Sequence, residues 1–587
     1  MSVRKISSLQ IEEDLKLGQS DEFDVMVVGA GMSGLYTAWR MKKEWQRSPV
    51  LSKLVKENGT GQLRIGILEW SDRVGGRLDS RIIADMENVP AELGGMRFTD
   101  SHLIVNQLIN DFGLRKDVDV FPMTDNSQFY LRGERFSEDK VAPKDPHVPG
   151  YKVPYQLPKD EQRQTPNQLF NFAIKKVCDY SNSWTDANWQ WVKENFRYSD
   201  SVYRDIALYD MGFWNMLYQT LSNEGYDFVW DGGGYNSNTI NWNAAEAMPY
   251  MLTDFSQPTD FKRIKTGFHQ LPVAMYKELR KLNVPVYRNL RLTHFEKHGE
   301  WTEGTVAVTR DPKVKGKFKA KVLFLAMPRH SLELIDQDCS FFQDQKVQYN
   351  IQSVLKQPAY KLFLAYESRW WGKEFHAGPT ITDLPLRMTY DFGSENERGG
   401  KPTDTRTLLL ASYSDMQADS FWKVLERNRP YDIPPEWEQI GADGGAPAPE
   451  EMKRMAEGML LKDLTTDGKT PTPSKLIGAY YQDWSQAPYG AGFHAWAAHY
   501  KAWEVMKEVR HPMADRHVYI CGEAYSNAQG WVEGAVCTAE SILEEFFQMP
   551  RLQGIPASYP LLTPKPVKPG QTETNPTYHH KANSYVF

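Results

Sequence analysis

Residues 23–34 read FDVMVVGAGMSG, and this stretch decides the fold that the sequence predicts. Five of its first six residues are apolar, which is typical of a short buried strand, and a helical pattern follows from Leu35 to about Lys56. Gly29 would allow the tight turn between strand and helix, Gly31 a close approach to a pyrophosphate, and Gly34 close packing of helix on strand. An ordinary glycine turn is the alternative, but the position between strand and helix favours a dinucleotide site.

Two charged residues follow the second predicted strand, Leu63 to Leu68. Glu69 ends that strand, where a carboxylate accepts hydrogen bonds from a ribose, although its distance of 35 residues from Gly34 exceeds the usual spacing. The segment Arg73-Val-Gly-Gly-Arg77 comes next. Its glycines would let the backbone approach a ligand, and Arg77 can pair with a phosphate. A solvated charge at the strand end is the alternative interpretation of Glu69.

Composition narrows the classes of function. The chain has 587 residues, of which 41% are hydrophobic and 25% charged, as expected for a globular protein of several folding units. A net charge of −6 gives no reason to expect nucleic acid or a membrane surface as a partner. We find no apolar run long enough to span a membrane, no secretory signal, no CxxC and no HExxH. The sequence therefore predicts a cytoplasmic protein without a metal site.

Further segments occur in an order that resembles the flavin-containing amine oxidase superfamily, and in particular its L-amino-acid oxidases and L-tryptophan oxidase. Beyond the two motifs above, the matching segments are Glu92–Phe98 (ELGGMRF), Gly267–Pro272 (GFHQLP), Val322–Pro328 (VLFLAMP), Tyr360–Leu364 (YKLFL), Asp483–Gly490 and Gly522–Ala535. The resemblance spans residues 24–540 and implies FAD as the cofactor. The segment Glu523–Gln529 contains no cysteine, so the FAD is expected to be non-covalent.

The resemblance also implies which residues form the site. The expected cofactor-binding residues are Gly29, Gly31, Ser33, Gly34, Glu69, Arg77, Gly94, Gly95, Met96, Arg97, Gly522, Glu523, Gly530, Trp531 and Val532. Arg97, Tyr390 and Trp531 are expected to bind substrate, because a guanidinium and a phenol can hold a carboxylate together. Lys361 is expected to be catalytic through a water beside the flavin. Each of these residues also has a purely structural interpretation. Arg97 would be a surface arginine, Tyr390 a strand tyrosine, Trp531 a core tryptophan and Lys361 a solvated lysine.

The expected fold class is α/β, with α+β character overall. A discontinuous Rossmann-like FAD-binding domain is assigned to 22–100, 256–330 and 478–548. A mixed-sheet substrate-binding domain is assigned to 101–160 and 331–477, a helical subdomain to 161–255, and an extended C-terminal tail to 549–587.

The function implied is oxidative deamination of L-amino acids with large apolar or aromatic side chains, or of many amino acids, with O2 as acceptor. The sequence does not separate this reaction from that of an amino-acid monooxygenase, which would release an amide. A monoamine or polyamine oxidase and a non-catalytic flavoprotein are further alternatives, and Arg97 argues against both. A homodimer is expected from the resemblance alone.

Overall fold

A computed structural model describes the side chains of residues 21–123, 126–199, 202–255, 260–309, 311–376, 378–426, 444–466, 468–562 and 568, apart from a few within helices and strands, and the backbone of 3–5. Two large sheets and a layer of helices make up this part of the chain. Among the described residues, no helix is both long enough and apolar enough to cross a membrane.

The first sheet is built around the strand predicted from the opening motif. Five parallel strands lie in the order Val286–Tyr287, Ile65–Leu68, Asp21–Val28, Asp311–Leu325 and Val518–Ile520. The strand Asp311–Leu325 is long enough to pair also, antiparallel, with Trp301–Val308, which in turn pairs with Leu290–His298. Residues 23–28 are all buried because helices cover both faces of the sheet, and this explains why all of them except Asp24 are apolar.

The helices that pack on this sheet come from three distant parts of the chain. They are Met32–Glu44, Pro49–Asn58, Leu103–Asp111, Gln270–Lys281, Arg329–Glu333, Gln345–Gln352, Ala502–Arg510 and Val532–Phe547. The helical pattern expected from Leu35 to about Lys56 is present as two helices, because the chain breaks after Glu44. Ser48 caps the second helix by accepting a hydrogen bond from the Leu51 N–H at 3.1 Å, and Pro49 takes its first position, where a missing N–H costs nothing.

The second sheet has eight strands and is mixed. Their order is Gly445–Pro447, Leu476–Asp483, Ala359–Tyr366, Thr407–Asp415, Met388–Ser394, Pro379–Thr382, Gln128–Leu131 and Glu134–Ser137. Helices Met416–Lys423 and Glu450–Asp463 cover one face of it. Two small sheets have two strands each: Val354–Gln357 pairs with Phe493–Trp496, and Val118–Val120 pairs with Lys262–Ile264. In a three-stranded sheet, Ser80–Ile83 lies between Val3–Lys5 and Ala91–Glu92 and pairs with both.

A helical layer covers the other face of the second sheet. Its helices are Glu138–Val141, Pro166–Val177, Asp186–Asn195, Phe213–Thr220, Asn223–Gly232 and Ala244–Phe255. One-turn 3-10 helices occur at Trp45–Arg47, Arg115–Asp117, Leu208–Asp210, Asn236–Thr239, Lys373–Phe375, Asn396–Arg398 and Glu523–Tyr525. The layer and the sheet share one apolar core, to which Phe170 contributes from the layer and Phe363 from the sheet.

The predicted α/β class, with a parallel nucleotide-binding-type sheet, a mixed sheet and a helical part, is confirmed. Two segments lie elsewhere than expected. Helix Leu103–Asp111, assigned to the second domain, packs on Val532–Phe547 in the core of the first sheet. Residues 549–562 are not a detached tail, because Leu552 and Tyr559 are buried in that same core. Except for Lys568, the rest of the predicted tail lies outside the described residues.

Candidate active site

Two adjoining cavities lie between the parallel sheet, the mixed sheet and the helical layer. The first has a volume of about 190 Å3 and follows the carboxyl ends of the parallel strands, where nucleotides bind in open α/β sheets. The second has a volume of about 500 Å3 and lies under the helical layer. The residues that line both are Arg77, Gly95, Gly492, Gly530, Trp531 and Val532.

The glycine motif shapes the first cavity as the sequence predicts. Gly29 has a φ of +109°, and a Cβ there would lie 2.4 Å from the carbonyl oxygen of Ala326. A Cβ on Gly34 would lie 1.9 Å from the carbonyl oxygen of Gly29. No side chain caps helix Met32–Glu44, so its first N–H groups are available to an anion.

Glu69 and Ser33 also line the first cavity. The Glu69 carboxylate accepts hydrogen bonds from the Ala30 N–H at 2.7 Å and from the N–H and hydroxyl of Ser71 at 2.9 and 2.8 Å. A carboxylate has about four acceptor positions, so one is left for a ligand hydroxyl. The glycine turn, the helix N-terminus and this acceptor suit the pyrophosphate and ribose of a dinucleotide.

Glu523 lines the first cavity, but donors of the protein itself already occupy the acceptor positions of its carboxylate. Arg77 Nη2 lies 2.8 Å from Oε2 and His494 Nδ1 lies 3.0 Å from it, while Oε1 accepts from the N–H groups of His494 and Gly530 at 2.9 and 2.8 Å. The carboxylate therefore fixes Arg77 and the Gly530 turn. The resemblance places Glu523 among the residues that bind the cofactor. However, four protein donors already occupy the acceptor positions of its carboxylate, so none is left for a cofactor hydroxyl.

The pKa values in this network follow from burial and charge. Burial alone would raise the pKa of Glu523, but the Arg77 guanidinium and His494 outweigh it and hold the pKa at about 2. Burial lowers the pKa of His494, which keeps the imidazole neutral. His494 lies in the aromatic segment Phe493–Trp496, for which the sequence alone favours substrate contact and core packing equally.

Lys361 lies at the junction between the mixed sheet and the second cavity. Its Nζ donates hydrogen bonds to the carbonyl oxygens of Glu92 at 3.0 Å and Gly94 at 2.6 Å, and it lies 4.5 Å from the ring centre of Tyr413. Burial lowers the pKa of Lys361, and burial raises the pKa of the Glu92 carboxyl. An ammonium has three N–H groups, so one remains for a water or a ligand in the cavity.

Arg97 extends into the same cavity from the segment that carries Gly94, Gly95 and Met96. Its guanidinium lies 4.0 Å from the ring centre of Phe261 and donates a hydrogen bond to Met123 Sδ at 3.5 Å. Burial raises the pKa of the Tyr390 hydroxyl, and the positive charge of the nearby Arg97 opposes that rise. A half-buried guanidinium next to aromatic rings is a strong site for a carboxylate, because few waters compete for it.

Aromatic and apolar side chains form much of the remaining wall of the second cavity, together with polar residues such as Asn238 and Asp260. Trp531 stacks on Phe261, with ring centres 6.0 Å apart and planes at 10°, and begins helix Val532–Phe547. Tyr235 and Tyr413 meet edge to face at 5.0 Å. The sequence analysis did not select Phe121, Tyr235, Phe261, Met388 or Tyr413, because aromatic side chains in loops and strands carry no spacing signal.

Comparison with known proteins assigns a family to this arrangement. The model of flavin-containing amine oxidoreductases matches residues 32–429. The chain belongs to that family. The expected FAD cofactor is thereby confirmed, and the first cavity of this amine oxidoreductase suits its dinucleotide part. Gly522 lines that cavity too, and Cys521 beside it is buried, which raises the pKa of its thiol to about 12 and makes it a poor nucleophile.

Several known proteins resemble the amine oxidoreductase over most of its length. Aplysianin-A of Aplysia kurodai is 24% identical, over 90% of this chain and 91% of its own. The L-amino-acid oxidase of Bungarus fasciatus is 23% identical, over 87% and 84%. A solved structure of putrescine oxidase bound to putrescine aligns with a TM-score of 0.60 at 16% identity, over 90% of this chain and 100% of the other, and shows the shared fold.

Proposed function

We propose that this amine oxidoreductase converts L-amino acids, O2 and water into 2-oxo acids, ammonia and hydrogen peroxide. The observation that carries the proposal is the Arg97 guanidinium, which lies beside Tyr390 in the same cavity as Lys361. The names of the related proteins support an amino acid as substrate, whereas the putrescine oxidase fold is compatible with simple amines as well.

Arg97 and Tyr390 would hold the substrate carboxylate. A guanidinium can make two parallel hydrogen bonds to a carboxylate, and the Tyr390 hydroxyl can give a third. This clamp fixes the α-carbon, so that its hydrogen faces the end of the cavity lined by Gly95 and Trp531. When bound, FAD supplies the two-electron acceptor for the amino acid.

Lys361 would hold a water in the cavity with its remaining N–H. Because burial lowers its pKa, the side chain is able to exchange a proton near neutral pH, and that water would then add to the imino acid product. Glu523 is proposed as a positioning residue that holds Arg77 and the Gly530 turn, and Trp531 as a wall of both cavities. The remaining expected cofactor contacts stay predictions, as do the homodimer and the cytoplasmic location.

The substrate side chain would lie in the apolar part of the second cavity. Phe121, Tyr235, Ile381 and Met388 line it, which supports amino acids with large apolar or aromatic side chains. The volume of about 500 Å3 is in the range of pockets for whole small molecules, so smaller amino acids would also enter.

The test is to compare wild type with Arg97→Met and Arg97→Lys on an L-amino acid and on the amine that lacks its carboxylate. Loss of a charge-assisted pair worth about 2–3 kcal/mol should lower kcat/KM for the amino acid about 30- to 150-fold in Arg97→Met. Arg97→Lys should recover part of it, and the amine should be unaffected.

Arg132→Met is the matched control, because Arg132 also lies 4.0 Å from an aromatic ring centre, that of Tyr155, yet lines neither cavity. An unchanged kcat/KM in Arg97→Met would overturn the carboxylate clamp. Faster turnover of putrescine than of any amino acid would favour an amine oxidase. Carbon dioxide and an amide among the products would identify a monooxygenase.

A further inference from the structure

A second group of polar side chains lies outside both cavities, where strand Leu290–His298 meets the turn that follows helix Arg329–Glu333. His294 and Glu296 are two apart on the strand and therefore point to the same side. Asp336 and Cys339 come from the turn, and the Asp336 N–H donates to the carbonyl oxygen of Thr293 at 2.9 Å, which joins the two segments.

His294, Glu296 and Cys339 bring one nitrogen, one carboxylate and one sulfur together, and Asp336 contacts the nitrogen. His294 Nδ1 lies 2.9 Å from Asp336 Oδ2 and 3.3 Å from Cys339 Sγ. One ligand atom each of His294, Glu296 and Cys339 lies within 4.8 Å of the other two. In a tetrahedral zinc site, Zn–N and Zn–S bonds of about 2.0 and 2.3 Å place N and S about 3.5 Å apart. The 3.3 Å between His294 Nδ1 and Cys339 Sγ is close to this edge of the tetrahedron.

We propose that His294, Glu296 and Cys339 bind one Zn2+ ion, with Asp336 beside them. The imidazole and thiolate are the donors that this ion prefers among divalent cations, and the Glu296 carboxylate is the third ligand. The Cys339 thiol would release its proton to solvent on binding, as thiol ligands of zinc do. Cys339 is buried while His294 and Glu296 are half-exposed, so an ion can enter from the solvent side.

Groups behind the ligands support the site. The Ser340 N–H donates to Glu296 Oε1 at 2.7 Å, and the Ser340 hydroxyl donates to Oε2. The Asp338 N–H donates to Asp336 Oδ1 at 3.0 Å. Such bonds to the outer oxygens orient carboxylate ligands.

The charges also balance. Two carboxylates and one thiolate carry −3, the metal ion +2, and the guanidinium of Arg516 +1. Arg516 donates to the Ser340 hydroxyl oxygen at 2.9 Å and so lies directly behind Glu296. With zinc in place the group is neutral, whereas without it the acidic side chains repel one another.

The two segments that carry the proposed zinc ligands also form part of the wall of the cofactor cavity. Leu290 to Leu292, just before His294, and Ser331 and Ile335, just before Asp336, line the cavity of about 190 Å3. An ion bound by both segments would hold this wall together. Removal of zinc should therefore weaken FAD binding without altering the amino-acid cavity.

The test is the zinc content of the purified FAD-loaded enzyme after exposure to Zn2+ and dialysis. About one zinc per chain is expected for wild type, with loss of it in Cys339→Ser and in His294→Gln. Cys178→Ser is the matched control, because Cys178 is also a buried, unpaired thiol, and it should keep the ion. The double variant His579→Ala/His580→Ala should keep it too, which separates the site from adventitious binding by those histidines.

A second measurement needs no variant. Co2+ added to the metal-free enzyme should give the red-region absorption of a tetrahedral thiolate site, beyond the flavin bands, and Zn2+ should abolish it. The far-ultraviolet circular dichroism spectrum reports that each variant is folded, independently of its flavin content. Wild type without zinc after loading and without the cobalt bands, or Cys339→Ser with the same zinc content as wild type, would overturn the proposal.

Discussion

Glu523 shows how one residue can hold a site together without touching the reaction. Its four hydrogen-bonding partners come from Arg77, the Phe493–Trp496 strand and the Gly530 turn, which are far apart in the chain. Because every acceptor position is used, a charged carboxylate is stable in a buried place. Loss of one partner should therefore change how the stability of the folded enzyme depends on pH.

We expect Arg77→Met to lose its FAD at higher pH than wild type on acid titration. The folded-state pKa of Glu523 is about 2, below the ordinary 4.5, so its contribution to stability is complete above pH 4.5 and disappears between pH 4.5 and 2. Without the guanidinium the folded-state pKa rises, and this contribution shrinks by a few kcal/mol. The measurement is the midpoint of flavin release against pH.

Arg406→Met is the control for that titration, since Arg406 pairs with the surface carboxylate Asp404 at 2.6 Å. Exposed pairs contribute little, so its midpoint should match wild type. Equal midpoints for Arg77→Met and wild type would show that Glu523 does not depend on Arg77.

At the scale of elements, the junction between strand Asp21–Val28 and helix Met32–Glu44 has no room for a side chain at Gly29 or Gly34. We expect Gly34→Ala to abolish FAD binding, because its Cβ would lie 1.9 Å from the backbone oxygen of Gly29. Gly458→Ala in helix Glu450–Asp463 is the matched control. Its Cβ would meet nothing within 4 Å, and it should raise the melting temperature, since alanine favours a helix by about 1 kcal/mol.

The flavin absorbance and the melting temperature of the purified Gly34→Ala and Gly458→Ala enzymes are compared with those of wild type. A yellow Gly34→Ala enzyme with the flavin content of wild type would contradict it.

Elements were predictable from the sequence where their signal is local. The strand before Gly29 and the helix Val532–Phe547 follow from apolar runs and their flanking residues, and the glycine spacing identifies the turn. The break at Ser48-Pro49 is equally local and could have been read from a capping serine followed by proline. The assignment of helix Leu103–Asp111 could not, because its partner lies more than 400 residues away.

The residues of the candidate site likewise divide into those that a sequence motif identifies and those that only the tertiary fold brings to the cavity. Arg97 and Lys361 reach one cavity, and a family motif pointed to both. The aromatic walls contributed by Phe121, Tyr235 and Tyr413 depend on how the helical layer meets the mixed sheet, and single aromatic residues have no pattern that reports such contacts. The filled carboxylate of Glu523 is likewise a tertiary effect.

At the scale of the whole molecule, the C-terminal segment closes the first core. The Tyr559 hydroxyl donates to Glu533 at 2.7 Å, and the Leu552 N–H donates to Glu540 at 2.6 Å. Glu533 also accepts the first N–H groups of helix Leu103–Asp111, and burial raises its pKa to about 7. Residues 549–562 therefore supply both apolar cover and hydrogen bonds to buried carboxyl groups.

We expect a chain that ends after Gln548 to melt several degrees lower than wild type and to release FAD more readily. It loses the burial of Leu552, Ile555 and Tyr559, each worth about 1.5–3 kcal/mol. A chain that ends after Leu562 is the control and should behave as wild type. Equal melting temperatures for the two truncated chains would show that the segment contributes no stability.

The strand order of the first sheet also has a consequence for biosynthesis. The strand Asp21–Val28 leaves the ribosome about 290 residues before its neighbour Asp311–Leu325 and about 500 residues before the next strand, Val518–Ile520. The sheet can be completed only after both of these later strands have been translated. During translation the apolar edge of the early strand is exposed, so nascent chains should need chaperones, and premature termination should yield insoluble, colourless fragments.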